Sequence, residues 1–309
     1  MLKYIGKRIL WLIPIIVGVS FIIFSIMYFK PGDPAQIILG SEATQESIDQ
    51  LREEMGLNDP FFTQYFNYMK GLVQGDLGNS YRNGNSVASE IAERFPVTIT
   101  LAAFSILLVC LIGIPVGVIS AVKQYSVLDM VSVVLALVLA SMPSFWIGLI
   151  LMLIFSVQWP ILPPTGADTW QNYILPCATL AAVNLAVVTR MTRSTMLEVV
   201  RQDYVRTARA KGGSEQHIIF HHCLKNAMIP VLTIVAIQFS KLVGGAVLVE
   251  SVFAMPGLGS LLVTAIRSSD TPLIMGSVIV LAVIFTVINL VIDLLYAVID
   301  PRIKAQFSR

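Results

Sequence analysis

A chain of 309 residues in which 56% are hydrophobic and only 13% charged, with a mean hydropathy of +0.77, is far more apolar than a soluble domain, where roughly 25% of residues carry charge. It reads as an all-α polytopic membrane protein, and a formal charge of +2 is too small to argue for nucleic acid. Cys110, Cys177 and Cys223 are scattered, with no CxxC and no Cys/His pair at ligand spacing, which argues for neither a disulfide nor a metal site.

A bilayer core takes about 20 mostly apolar residues per helix, and six runs qualify: 9–29, 97–122, 130–157, 174–188, 229–249 and 273–299. The first follows the basic flank "KYIGKR" as a signal peptide would. Its apolar run is longer than the usual ~7 to 15 residues and no small-x-small cleavage site follows, so it is expected to remain as a helix. Three parts result: a terminus and first span (1–29), an extracytoplasmic helical segment (30–96), and a five-span core (97–309).

In the segment 30–96, "ESIDQLREEMG" puts Ile48, Leu51 and Met55 on one helical face and stops at Gly56. "DPFFTQYFNYMKGL" then starts at Pro60 after Asp59 and carries an aromatic face of Phe61, Phe62, Tyr65 and Met69. That face is expected to pack on the protein itself or at the lipid interface. Gly113 and Gly117 in the second span permit close helix contact, and Pro14, Pro115 and Pro143 mark kinks.

The polar stretch 189–228 contains "DYVRTARAKGG". Asp203 is the expected N-cap, Arg206, Arg209 and Ala210 lie on neighbouring turns, and Gly212-Gly213 stops the helix. Ser214 and Glu215 then open the next one. The product is a helix of about nine residues, ~13 Å long, whose small Ala208 and Ala210 let another backbone approach. From the residues alone, a basic helix resting on anionic lipid heads fits as well.

Lys and Arg in the short loops set the orientation. With the N-terminus inside, that side holds Lys3, Lys7, Arg8, Lys123, Arg190, Arg193, Arg201, Arg206, Arg209, Lys211, Lys225, Arg302, Lys304 and Arg309, whereas the opposite short loops hold only Arg267. Both termini are then cytoplasmic. Trp159 and Trp170 fit an outer interfacial belt.

The basic stretch resembles the cytoplasmic coupling loop, or EAA loop, of permease subunits in ABC importers. Arg206-Thr207-Ala208 occupies the EAA position, Arg209-Ala210-Lys211 follows, and Gly212 is the loop's glycine. The first two letters depart from the general motif, and Gly212 lies farther from Pro230 of "NAMIP" than that motif has it. Both departures are shared by the peptide and nickel branch of the superfamily. "PGDPA", "GDLGNSY", "RFPVTITLA", "SMPSFWIGL", "LPPTG", "VESVFAMPGLG" and "DPRIK" resemble that branch in consistent order along the chain. The long first outer loop resembles its B-type permease.

The resemblance implies a type I importer fold, a C-type permease as heterodimer partner, two cytoplasmic ATPases and an extracytoplasmic substrate-binding protein, in the bacterial inner membrane. It assigns Arg206 through Gly212 to ATPase coupling and implies a peptide cargo, with a nickel chelate or glutathione-type peptide as the alternative. No Gly-rich phosphate loop ending in Lys-Ser or Lys-Thr occurs. ATP and Mg2+ are therefore expected on partner subunits, and no catalytic residues are expected here.

Lys241, within the fifth span, is expected to face water, a partner or a substrate path, because a charge at mid-membrane costs roughly 2.5 to 3.5 kcal/mol. Gln238 and Ser240 are read with it as a polar patch along the translocation pathway. His217, His221 and His222 lack an accompanying carboxylate cluster and read as a surface feature. "MPGLG" reads as a turn outside the membrane. Two rival classes fit less well. An ion-coupled transporter needs buried carboxylates, for which Asp293 is the single candidate, and a membrane enzyme needs a catalytic set inside the spans, which is absent.

Overall fold

A computed structural model describes residues 2–40 and 42–299. "DPRIK" and the basic residues Arg302, Lys304 and Arg309 lie outside the described residues, as do the side chains of Lys3, Lys7 and Asp293. The described residues are helical apart from turns and one isolated bridge between Asn79 and Ser86. In chain order the helices are α1 (Leu2–Phe29), α2 (Pro34–Leu39), α3 (Gln45–Glu54), α4 (Phe61–Val73), α5 (Val87–Val122), α6 (Val127–Ser141), α7 (Ser144–Met152), α8 (Gln171–Val200), α9 (Asp203–Ala210), α10 (Glu215–His217), α11 (Leu224–Gly245), α12 (Val247–Val252), α13 (Leu258–Ser268) and α14 (Thr271–Ile299). A π-helical stretch, Leu153–Gln158, continues α7, and another, Ile218–Cys223, joins α10 to α11.

Five of these helical runs are long and apolar enough to cross a bilayer, and a sixth exists if α6 and the α7 run form one crossing. That third span, expected as one helix over 130–157, is broken and bends by 103°. The cause is local. Met142 precedes Pro143 and is extended (φ −90°, ψ 136°), as the residue before proline tends to be, and Pro143 caps α7. By contrast, α1 and α5 run on through Pro14 and Pro115.

Other boundaries shift because hydropathy reports where a helix meets lipid, not where it ends. The fourth span, expected over 174–188, belongs to a 30-residue helix that carries Thr189, Arg190 and Arg193 onward to Val200. The fifth, expected over 229–249, begins as early as Glu215, and α11 ends at Gly245. The polar stretch 189–228 therefore reduces to two helix extensions around the short α9.

The chain divides into two compact units, Leu2–Thr98 with Pro256–Val287, and Ile99–Met255 with the end of α14. In the first, Val87 and Ile91 of α5 pack with Leu258, Leu261 and Ala265 of α13 and Leu273 and Ile274 of α14. Asp270, buried between α13 and α14, accepts from the Ser80 hydroxyl, the Tyr81 amide (3.2 Å) and the Leu273 amide (3.3 Å), which locks "GDLGNSY" in place. Burial and the neighbouring Asp270 push the Tyr81 phenol up to about 12.

Also in this unit, α4 packs along α1. Tyr65 Oη donates to the Val17 carbonyl (3.1 Å) and lies 3.0 Å from Ser20 Oγ, while Phe61, Tyr65 and Tyr68 make ring contacts with Phe24. Phe62, expected on this face, points away and is 73% exposed. At 100° per residue it sits a quarter-turn beyond Phe61, and Tyr68 completes the packed face instead.

In the second unit α8 is central. Gly113 and Gly117 let α5 lie against it: a Cβ at Gly117 would come within 2.6 Å of Thr192 Cβ and 2.8 Å of the Thr189 carbonyl oxygen. Gly148 gives α7 the same close approach to Phe253 and Thr179.

Candidate coupling and pathway sites

The helix α9 is eight residues long, below the ~12 to 15 at which an isolated helix is marginal, so its support is tertiary. Val205 is fully buried among Met196, Ile218, Cys223 and Ala227, and Ala208 packs partly against the same cluster. Asn226 Nδ2 donates to Tyr204 Oη at 3.0 Å. Asp203, Tyr204, Arg206, Thr207, Arg209 and Ala210 stay exposed. The chain thus carries the helix on one buried valine and leaves most of its surface open.

Both ends are built from backbone chemistry. Gln202, not the expected Asp203, is the N-cap, and it makes no side-chain cap bond. The helix starts one residue earlier than expected, which places Asp203 in the first turn, where a carboxylate suits the helix dipole. At the other end Gly212 has φ +79° and its amide donates to the Arg209 carbonyl, while the Gly213 amide donates to the Ala208 carbonyl. A side chain at that φ is strained. Ser214 caps the next helix through the His217 amide, as its position implies.

Arg209 grips Glu215 with Nε and Nη2 at 2.8 and 3.2 Å, and these bonds hold its guanidinium above the ordinary arginine range. Arg206 lies 3.8 Å from Asp203. Beside these, a cleft of about 400 Å³ is lined by Tyr204, Thr207, Ala208, Lys211, His217 and His222. The stacked rings of His217 and His221 lie 4.9 Å apart.

The residues read as a pathway patch are separated by the structure. Lys241 is exposed, whereas Gln238 and Ser240 are buried. Ser240 Oγ donates to Asn289 Oδ1 on α14 at 3.2 Å. With α11 ending at Gly245, Lys241 sits about one turn from the helix end.

Sequence reasoning missed the polar constellation between α6 and α8. Arg193 of α8 holds Asp129 of α6 with Nε to Oδ1 at 2.6 Å and Nη2 to Oδ2 at 2.9 Å, and Asp129 also accepts from the Ser120 hydroxyl and the Tyr125 amide. The partners are 64 residues apart, so no local spacing signals the pair.

Residues 113–305 match the family described as "Binding-protein-dependent transport system inner membrane component", and residues 1–102 match its N-terminal family. The chain belongs to this family. The permease is 42% identical to the dipeptide transport system permease protein DppB of Alkalihalophilus pseudofirmus, over 98% of this chain and 100% of that one. It is 43% identical to the glutathione transport system permease protein GsiC of Escherichia coli K12, over 98% and 99%. Among solved structures it is similar to the inward-facing MetNI methionine ABC transporter (TM-score 0.58, 18% identity, 68% of this chain and 96% of that one). An amino acid ABC transporter also matches (TM-score 0.54, 16% identity, 70% and 94%). The permease is a multi-pass transport subunit of an ABC importer and not an enzyme.

Proposed function

We propose that this permease is the B-type subunit of a peptide ABC importer and forms the translocation pathway with a C-type permease. Its α9 docks into a cytoplasmic ATPase, and ATP and Mg2+ reside on the partner ATPases, with an extracytoplasmic binding protein delivering the cargo. The observation that carries the coupling role is a short helix anchored by Val205 while Arg206, Thr207, Arg209 and Ala210 face outward. The names of the dipeptide and glutathione relatives support a peptide cargo, and the resemblance of "YVRTARAKG" to the peptide and nickel branch keeps a nickel chelate as the alternative. The loop basicity supports termini and α9 on the cytoplasmic side, with the bent α6–α7 run as one crossing.

Ala208 lines the cleft beside α9 and must stay small, since overpacking a close interface costs ~1 to 3 kcal/mol. Gly212 must keep its positive φ. Ala208→Glu and Gly212→Val should leave the permease pair intact yet lose the ATPase on purification, or hydrolyse ATP without uptake. Wild-type co-purification and uptake in both would sink the coupling reading. Capture of a cytoplasmic ATPase through α9 also fixes the side on which this loop lies.

Lys241 serves as the pathway charge beside the buried Gln238 and Ser240, of which Ser240 ties α11 to α14. Its Met variant keeps the stem and removes the charge. Uptake of anionic peptides should fall more than that of cationic ones, and equal rates for both would remove Lys241 from the pathway.

A further inference from the structure

The outward face of α4 is unassigned by any role described so far, and it is divided. Phe62, Phe66 and Val73 are 73%, 69% and 83% exposed and fall within about 40° of one another at 100° per residue. Thr63, Asn67, Lys70 and Gln74 are also exposed and form a second stripe about 90° further round.

The depth of this helix follows from what it packs on. The apolar run of α1, Leu10–Phe29, is 20 residues, or ~30 Å at 1.5 Å per residue, which equals the hydrocarbon thickness and leaves no length to spare. Phe61 meets Tyr28 and Phe29, and eight residues later Met69 meets Ser20. So α4 descends beside α1 for about 12 Å, from the edge of the bilayer toward its middle. The exposed Ile22, Ile26 and Phe29 of α1 and the Phe29–Phe61–Phe62 ring chain bring the apolar surfaces of the two helices together. An ammonium at that depth is costly in acyl chains, so Lys70 requires water on its side.

We propose that α4 is a re-entrant half-span standing at a boundary: its Phe62–Phe66–Val73 stripe contacts lipid acyl chains, and its Thr63–Asn67–Lys70–Gln74 stripe wets an aqueous vestibule. The proposal rests on the membrane-spanning reading of α1 and not on which side is cytoplasmic, or on the cargo.

The test uses the assembled transporter in lipid nanodiscs, where both faces of the bilayer are reachable. Single cysteines replace Phe66 or Asn67, with Cys110, Cys177 and Cys223 changed to Ala, and carry an environment-sensitive fluorophore. The label at Phe66→Cys should lose fluorescence with bromine-tailed lipids and resist iodide, and the label at Asn67→Cys should do the reverse. Iodide quenching at both positions lifts α4 off the bilayer, lipid quenching at both removes the vestibule, and protection of position 66 from both quenchers means that a protein partner covers the stripe. Each of these overturns the proposal. A photoreactive benzoyl-phenylalanine at Phe62, which leaves the native cysteines in place, should crosslink to phospholipid; crosslinks to another subunit instead would reject lipid as the occupant.

Discussion

Two buried carboxylates hold loops in this permease, and they are satisfied by different chemistry. Asp129, at the start of α6, faces a guanidinium, a hydroxyl and an amide N–H. Asp270, between α13 and α14, is held by a hydroxyl and two amide N–H groups, with no cation among those donors. The first is an ion pair whose loss strands a second charge. The second is a carboxylate in a nest of neutral dipoles, in which removing the charge strands no second charge. Similar burial, 4% and 1% exposed, therefore does not mean similar sensitivity.

The largest effect is expected from Asp129→Asn. Breaking a buried pair by removing one partner costs ~3 to 5 kcal/mol, and because Arg193 keeps 24% of its side chain exposed, a loss near 3 kcal/mol is expected. Thermal unfolding of the detergent-solubilised permease pair reads this as a lowered midpoint. Asp129→Leu combined with Arg193→Met should recover part of it, since no charge is then left unpaired, while the Ser120 hydroxyl and the Tyr125 amide still lose their acceptor. If the single Asn variant were as stable as the wild type, the ion pair would carry no weight and the contrast would fail.

A middle effect is expected from Ser80→Ala. Its hydroxyl donates to Asp270 and accepts from the amides of Arg82 (3.2 Å) and Asn83 (3.4 Å). Loss of a hydrogen bond to a charged group costs ~1.5 to 3 kcal/mol. The same unfolding measurement should place this variant between the wild type and Asp129→Asn, and a loss exceeding that of Asp129→Asn would invert the ranking.

What the sequence made legible, and what it hid, follows the same division between local and distant chemistry. Gly212 at positive φ, Ser214 as a cap and Gly56 after α3 are set by neighbours within four residues, so their positions could be read directly. Apolar length located the spans, because solvent selects it residue by residue. Helix ends beyond the bilayer escaped, since Arg190 and Arg193 are as helical as the apolar turns before them. The Pro143 break was visible as a kink but not as a 103° bend, which depends on the conformation adopted at Met142. Lys241, Gln238 and Ser240 looked like one patch because adjacency in sequence does not say which side of a crowded helix meets the rest of the chain. The Asp129–Arg193 pair and the Asp270 nest join residues 64 and about 190 positions apart, and nothing local marks either.

The most discriminating effect is expected from Asp270→Asn, the same change of side chain made at Asp129. The Asn carbonyl oxygen can accept from the Tyr81 and Leu273 amides, as the carboxylate does. Its NH2 group would face Ser80 Oγ, which already accepts from the Arg82 and Asn83 amides, so the bond that Ser80 donates to the carboxylate is lost. At the two amides, charge-assisted bonds of ~1.5 to 3 kcal/mol become neutral ones of ~0.5 to 1.5, and the Ser80 bond is lost, but no charge is left unpaired. The permease pair carrying this change should unfold below the wild type and above Asp129→Asn. A loss equal to that of Asp129→Asn would mean that the Asp270 charge itself is required, so that a cation must act on it and the neutral-nest description is wrong.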